Sequence, residues 1–493
     1  MHLPANLLEP IKAIRLRYLP LLMVYFSYGA LGIVDISRDL WVKESLSLSP
    51  AELASISVWF TLPWTIKMVF GELVDTFAIF GSRRKVYIFI GATFTASGLL
   101  CLAGAAGGWI FWLRPDQLYV LGMMLIVLGT VIQDVVADAI STEVVERTKA
   151  NGQARPDEEI RSDLGMVQVL GRLALSFGIL SVAGLSGLLS IYFDRETVFL
   201  MALVVPAISI TGSIFIRTEP AESRPMDMRM VGGGFAFGLL VLAIGLSHMP
   251  LSQELVFLLS MAVVCTMLVI VTRALDASVR RAIFYTAVII FAFRATPAVG
   301  DGYFWWTLDI LKFDGAFYGI LRQTAGLIGL VALWLLAKPL TQYSVTKTLG
   351  WLAVAGFVLS APTIALYFGL HHWTEENFGF GARSIAIIDA AATSPFAQLS
   401  MIPLLTLIAY YAPAAHRATW FALMASLMNL ALVAGQLGTK YLNLILPVQR
   451  GDYEHLGTLM IASAILAFLM PMIAILLFGK RISVGAPTAK AGL

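Results

Sequence analysis

Fourteen apolar segments, most of them long enough to cross a bilayer, follow one another through this 493-residue chain with short polar stretches between them. A span needs about 20 apolar residues, because an α-helix rises about 1.5 Å per residue through a hydrocarbon layer about 30 Å thick. Inside lipid every backbone N–H and C=O must be satisfied within the segment, so helices are what such segments form. The prediction is an all-α membrane protein. Composition agrees, with 58% hydrophobic residues and 13% Asp, Glu, Lys or Arg, where a soluble domain carries about 25% charged residues.

The net charge of +3 is too small to suggest a nucleic-acid partner. Cys101 and Cys265 lie in apolar runs without a nearby Cys or His and read as small core residues. None of the six histidines falls in the middle of a predicted span. No metal-ligand spacing, phosphate-cradling glycine loop or Ser/His/Asp arrangement stands out, so neither an enzyme nor a cofactor is expected. The first apolar segment lacks a small-residue cleavage site and is expected to be a span, not a cleaved signal.

Spans are expected near 18–43, 51–77, 85–107, 117–146, 161–191 and 196–216, and again near 279–305, 314–338, 347–369, 382–412, 416–446 and 457–479. Two shorter segments, 231–248 and 254–272, lie between the sets and read as an extra helical hairpin. The division is therefore an N-terminal bundle over 1–220, a central linker with the hairpin over 221–276 and a C-terminal bundle over 277–493. With the N-terminus inside, the cytoplasmic loops carry 22 Lys and Arg and the outer loops six. That bias places both termini in the cytoplasm.

The loop after the second span reads GELVDTFAIFGSRRKVY, residues 71–87. It resembles the loop motif of the major facilitator superfamily, a Gly-x-x-x-Asp followed by a basic cluster. The resemblance implies a gating role: Gly71 would allow close helix approach, and Asp75 would pair with Arg83 or Arg84 to latch the cytoplasmic side. Two six-helix sets joined by a central loop are that superfamily's plan, in which three-helix repeats nest within each half.

The finer pattern resembles the folate–biopterin transporter family. Pro63, Trp64 and Lys67 precede Gly71 and Asp75, and Phe80, Gly81, Arg83, Arg84 and Tyr87 follow. The fourth span carries Asp-x-x-x-Asp at Asp134 and Asp138, within GTVIQDVVADAI. TPAVGDGYFWWTLDILKFDGAFYG, residues 296–319, resembles the family's seventh helix and the loop after it. The stretch 402–429 resembles its tenth and eleventh helices through Pro403, Pro413, Ala418, Thr419, Phe421, Ser426 and Asn429. Ala412 and Arg417 depart from the family's Cys-Pro and acid before Ala-Thr. Muropeptide permeases share the Gln133-Asp134…Asp138-Ala139 pattern and an Ala-Thr-x-Phe-Ala-Leu stretch. Pro297, the Tyr303–Phe304 pair and Asn429 favour the folate–biopterin side.

In this superfamily helices 1, 4, 7 and 10 line the central cavity. Asp35, Arg38 and Asp39, then Asp134 and Asp138, then Arg294 and Asp301, and finally Asp389 fall on those four; Lys67 and Arg172 fall on neighbouring helices 2 and 5. A charge at mid-bilayer costs about 2.5–3.5 kcal/mol or more, so each is expected to face a cavity or a partner. Arg294, Asp301, Lys67, Arg172, Arg38, Asp35 and Asp389 are the substrate-binding candidates. Asp35, Arg38 and Asp39 also read as a self-satisfied ion cluster, and Lys67 as a counter-ion for an acid on helix 4. Arg322 and Lys440 are expected to snorkel, and Trp305 and Trp306 to sit in an interfacial aromatic belt. Arg294, Pro297, Asp301 and Trp305 recur at helical spacing, with Pro297, Gly300 and Gly302 weakening the helix there.

Asp134 and Asp138 share one helix face. Two carboxylates one turn apart in a low-dielectric surround resist double ionisation, so they are the proton-coupling candidates. The resemblance implies a secondary transporter of folate- or pterin-type organic anions, working by alternating access as a monomer in the plasma (bacterial inner) membrane and coupled to protons. Its partners are then a small anionic substrate, protons and the lipid bilayer. The alternatives are a permease for another solute such as a muropeptide, and a non-transporting membrane sensor or assembly factor.

Overall fold

In the computed structural model the described residues are 14–65, 67–82, 84–146, 153, 155–216, 228–246, 249–273, 276–342, 345–399 and 417–483. Their secondary structure is helical apart from two isolated bridges, Ile79 with Ser82 and Gln449 with Asp452. The first span is built from a 3-10 turn, α1 (Leu19–Ala30), a second 3-10 turn (Leu31–Val34) and α2 (Asp35–Ser45). Then come α3 (Pro50–Thr65), α4 (Lys67–Thr76), α5 (Lys85–Gly107), α6 (Pro115–Glu143), α7 (Asp157–Tyr192), α8 (Arg195–Met201) and α9 (Val204–Ile214). The central segments form α10 (Met228–Leu246) and α11 (Ser252–Thr272). The rest of the chain forms α12 (Ala277–Arg294), α13 (Gly302–Asp309), α14 (Gly315–Gln342), α15 (Val345–Leu359), α16 (Ala361–Tyr367), α17 (Leu370–Phe378), α18 (Ala382–Leu399), α19 (Arg417–Ile445) and α20 (Leu456–Ser483).

Eight helical stretches among the described residues have the length and hydropathy of a membrane span. Local chemistry places several ends. Pro115 opens α6 at a position that needs no N–H, and the Gln117 side chain accepts from the Arg114 backbone N–H at 3.1 Å. Gly108, at φ +73°, ends α5 in the left-handed region that glycine occupies without strain.

The helices gather into two compact units. The first draws on Met1–Leu46, Val69–Phe235 and Gly315–Gln323, the second on Ser47–Met68, Ala236–Asp314 and Thr324–Leu493. In the first, Leu21, Val24, Ile88, Val136, Ile140 and Val167 from α1, α5, α6 and α7 make one buried core. Small residues let the backbones meet, as expected where lipid is no less apolar than Leu and close packing drives association. A Cβ on Gly29 would lie 2.1 Å from Leu175 O, and one on Gly178 2.3 Å from Phe26 O, so α1 and α7 touch through glycine. Gly91 and Gly129 do the same for α5 and α6. Among the described residues, a Cβ on Gly71 would meet nothing within 4 Å.

In the second unit Ile283, Ile289, Ile290, Leu349, Leu423, Leu427 and Leu430 form the core between α12, α15 and α19. α3 packs on α19, where Thr61 and Gln436 exchange a hydrogen bond of 2.8 Å and Asn429 Nδ2 donates to Trp64 O at 3.1 Å. The hairpin helix α11 is fastened to α19 by Lys440 Nζ, 2.7 Å from Glu254 Oε1. Lys440 therefore does not snorkel; Glu254 and the Gln253 side-chain Oε1 at 2.8 Å satisfy it. Both charges are mostly buried, with side-chain exposures of 16% and 18%. Lys440→Met leaves the Glu254 carboxylate with the Tyr441 hydroxyl but without a counter-charge, and is expected to cost about 3 kcal/mol of stability. Combining it with Glu254→Gln is expected to restore most of the loss, which thermal unfolding in detergent will measure. Cys265 is exposed on α11, not buried as its apolar run suggests.

Candidate functional site

The apolar spans carry their polar groups in a few clusters. In the first unit α6 places Asp134 and Asp138 one turn apart. Tyr25 Oη, from α1, donates to Asp138 Oδ1 at 2.9 Å. Asp134 lines a small pocket together with Tyr25, Tyr28, Thr95, Thr130 and Gln133. Arg172, beside the glycine of α7 that receives the Tyr25 ring, lies within electrostatic reach of the same phenol, as does Asp134. The structure thus gathers Asp134, Asp138 and Arg172 around Tyr25. That tyrosine was not singled out in the sequence; the available signal was a hydroxyl-bearing aromatic inside an apolar span.

A second cluster in the same unit is a closed ion quartet. Arg38 reaches Asp35 at 3.0 Å and Asp39 at 2.7 Å. Arg322, in the first turns of α14, reaches the other oxygens of those acids at 3.0 and 3.3 Å. Two acids and two arginines cancel, so Asp35, Arg38 and Asp39 do form an ion cluster, with Arg322 as its fourth member. Arg322 completes the set instead of snorkelling, because two carboxylates lie within its reach.

At the 71–84 end of this unit Arg84 pairs with Glu143 at 2.6 Å and donates to Val74 O at 3.1 Å. Tyr87 Oη donates to Leu73 O in the last turn of α4 at 3.1 Å and to Phe77 O just beyond it at 2.9 Å. Arg17 pairs with Glu146. Glu143, at the end of α6, was not anticipated as the partner of the basic cluster. Arg83 and the Asp75 side chain lie outside the described residues, as do Pro403, Ala412 and Pro413.

In the second unit the seventh segment breaks over residues 295–301, between α12 and α13. Pro297 supplies no N–H and Gly300 takes φ +80°. The freed backbone groups are taken up by side chains: Thr439 Oγ1 accepts from Ala298 N–H at 2.9 Å, Asn443 Nδ2 donates to Val299 O at 3.0 Å, and Ser463 Oγ donates to Pro297 O at 2.8 Å. The expected weak point is real, but the break removes the single helical face on which Arg294, Pro297, Asp301 and Trp305 were placed. Arg294 closes α12 half-buried, and the exposed Asp301 stands at the N-terminus of α13.

Trp305 and Trp306 are 1% and 4% exposed, so they are core residues of this unit, not an interfacial belt. The Arg450 guanidinium stacks 5.0 Å from the Trp305 ring centroid. Nearby Tyr453 donates to Asp309, and burial together with that bond raises its phenol above the ordinary range. Lys67 opens α4, half-buried, within the second unit. Asp389 lies half-buried on α18. Among the described residues no group of three or more His, Cys, Asp or Glu is placed to hold a metal ion.

The arrangement of helices is that of known transporters. A POT family transporter solved with a thioalcohol-conjugated peptide superposes with a TM-score of 0.67 at 14% identity, covering 96% of this chain and all of that one. A second POT family structure, solved in meso, gives 0.65 at 13% identity, covering 96% and 99%. The chain is a multi-pass integral membrane protein with the major facilitator fold. It belongs to the BT1 family, whose family model matches residues 29–486. The "Folate-biopterin transporter" of Synechocystis sp. (strain ATCC 27184 / PCC 6803 / Kazusa) is 26% identical over 460 residues, covering 92% of this chain and 80% of that protein. "Probable folate-biopterin transporter 4" of Arabidopsis thaliana is 22% identical, covering 88% and 89%. "Folate transporter 2" of Plasmodium falciparum (isolate 3D7) is 20% identical, covering 88% and 82%. The ordered motifs at 63–87, 134–138 and 296–319 therefore pointed to the right family, and the chain is a transporter, not an enzyme.

Proposed function

We propose that this protein is a secondary transporter of folate- or pterin-type organic anions, driven by protons and working by alternating access. The observation that carries the reading is the match to a folate–biopterin transporter along nearly the whole chain. Support comes from the charges that the apolar helices retain. Arg294, Arg172 and Lys67 would meet the substrate's carboxylates, and Asp301 or Asp389 the hydrogen-bond donors of the heterocycle edge. Asp134 and Asp138 would hold the coupling proton. The ion quartet of Asp35, Arg38, Asp39 and Arg322, already neutral within itself, is assigned to gating before substrate contact, and Gly71, Asp75, Arg83 and Arg84 to the cytoplasmic gate. On this reading the protein sits in the plasma membrane, and the loop charge bias supports an orientation with both termini cytoplasmic. The same reading divides the chain at about 220 and 276 into two bundles and a central hairpin, with twelve plus two spans in a monomer.

Uptake by proteoliposomes separates the substrate classes: labelled folate and biopterin are expected to enter, and muropeptides are not. Saturable muropeptide uptake in the absence of folate or biopterin uptake would replace the substrate assignment. Arg294→Ala removes one charge-assisted contact, and the expected loss is about tenfold or more in affinity for the anion. Membrane insertion is expected to be unchanged, because the arginine closes a helix and holds no buried core.

A further inference from the structure

The two acids of α6 open onto different surroundings. Asp138 accepts from Tyr25 Oη at 2.9 Å. Asp134 lines the pocket between α1, α5, α6 and α9, and Tyr25 lines that pocket too. The pocket is lined mostly by apolar surface with a few polar groups among it, and has room for about one water molecule. Three of its hydroxyls have already committed their protons: Ser27 donates to Met23 O at 2.8 Å, Thr95 to Gly91 O at 3.1 Å and Thr130 to Ile126 O at 2.8 Å. Their oxygens remain as acceptors, which suits a water that must donate.

The Tyr25 ring is fixed from the other side. A Cβ on Gly171 would lie 2.8 Å from Tyr25 Cε2, so the ring occupies the space that glycine leaves on α7. Among the described residues, the charged groups within electrostatic reach of the phenol are Asp134 and Asp138 from α6 and Arg172 from α7. α9, also packed on α1, carries no ionisable residue, and Tyr28 of the first span is the other phenol at the pocket.

We propose that Tyr25 passes the coupling proton between Asp138 and Asp134. The step rests on the proton-coupled reading above. Protonated Asp138 gives its proton to Tyr25 Oη as the phenol releases its own to a water in the pocket, and that water gives one of its protons to the Asp134 carboxylate. The sum is one proton moved from Asp138 to Asp134, with the phenol and the water unchanged. The observed bond, with the phenol donating to Asp138, is the one left once the proton has passed. Tyr25 is thus a relay and positioning residue, and neither acid needs to move.

Tyr25→Phe keeps the ring against Gly171 and removes the hydroxyl. In proteoliposomes carrying a pH-sensitive dye and supplied with labelled folate or biopterin, the expected result is at least a tenfold fall in substrate-evoked proton influx. Counterflow exchange is expected to stay within about twofold. The pH of half-maximal uptake is expected to move by about one unit, the shift that one lost hydrogen bond produces. Proton influx and a pH profile matching wild type would overturn the relay and leave proton coupling standing. Equal loss of exchange and of thermal stability would also overturn it, by making Tyr25 a packing residue. A wild type that takes up substrate with no proton influx would remove the coupled reading itself, and the relay with it.

Discussion

Asp138→Asn is expected to abolish accumulation driven by a pH gradient while leaving exchange of substrate across the membrane measurable. For one proton carried per substrate, each pH unit across the membrane supplies about 1.4 kcal/mol, enough for a tenfold concentration ratio. An amide in place of the carboxylate binds no proton, so the ratio is expected to fall from about tenfold per unit to one. The substitution preserves shape and still accepts from Tyr25 Oη, whose bond to Asp138 is 2.9 Å. Loss of accumulation would therefore report charge, not collapse. Asp134→Asn is expected to act the same way from the pocket side of α6. Full gradient-driven accumulation by both single mutants would make the pair structural and place coupling elsewhere. The measurement is the steady-state ratio of labelled substrate inside and outside, with counterflow run beside it.

Gly178→Leu is expected to prevent folding altogether. Even the Cβ of alanine would lie 2.3 Å from Phe26 O, where contacts under 3.0 Å essentially never occur. The atom met is backbone, so no side chain can swing aside. α1 and α7 would have to separate, and the same separation would pull Tyr25 away from the notch at Gly171. Overpacking at such a site costs about 3 kcal/mol or more, a large fraction of the ordinary stability of a domain. The outcome to look for is loss of the monodisperse peak in detergent. Gly71→Ala, which meets nothing within 4 Å among the described residues, is expected to fold within about 0.5 kcal/mol of wild type. If Gly178→Leu folds normally, the glycine contact between α1 and α7 is not what holds the first unit together.

The contrast between these two glycines shows where sequence reading stops. The segment 85–107 coincides with α5, and the 254–272 segment differs from α11 by two residues at its start. Apolar run length is dictated by bilayer thickness and is written in consecutive residues. Partners are not. Lys440 meets Glu254 from 186 residues away, and Arg322 meets Asp35 from 287 away. Each was expected to snorkel because it lies towards the outer end of its span. The weak point at Pro297 and Gly300 was legible from residue type, since one lacks an N–H and the other reaches positive φ. What holds that break, Thr439, Asn443 and Ser463, was not legible, because hydroxyls and amides in apolar helices look alike until the fold aims them. The acids of α6 stood out by spacing alone. Tyr25, the residue that touches one of them, did not, because a tyrosine in a span is ordinary until its hydroxyl is placed.

The central claim is tested most directly by purified protein in liposomes with an acid exterior, supplied with labelled folate and, separately, biopterin. The account predicts that at least one of them accumulates above its external concentration and that a protonophore collapses the accumulation to equilibrium. Uptake indistinguishable from protein-free liposomes for both compounds, or uptake that equilibrates identically with and without the gradient, would contradict it.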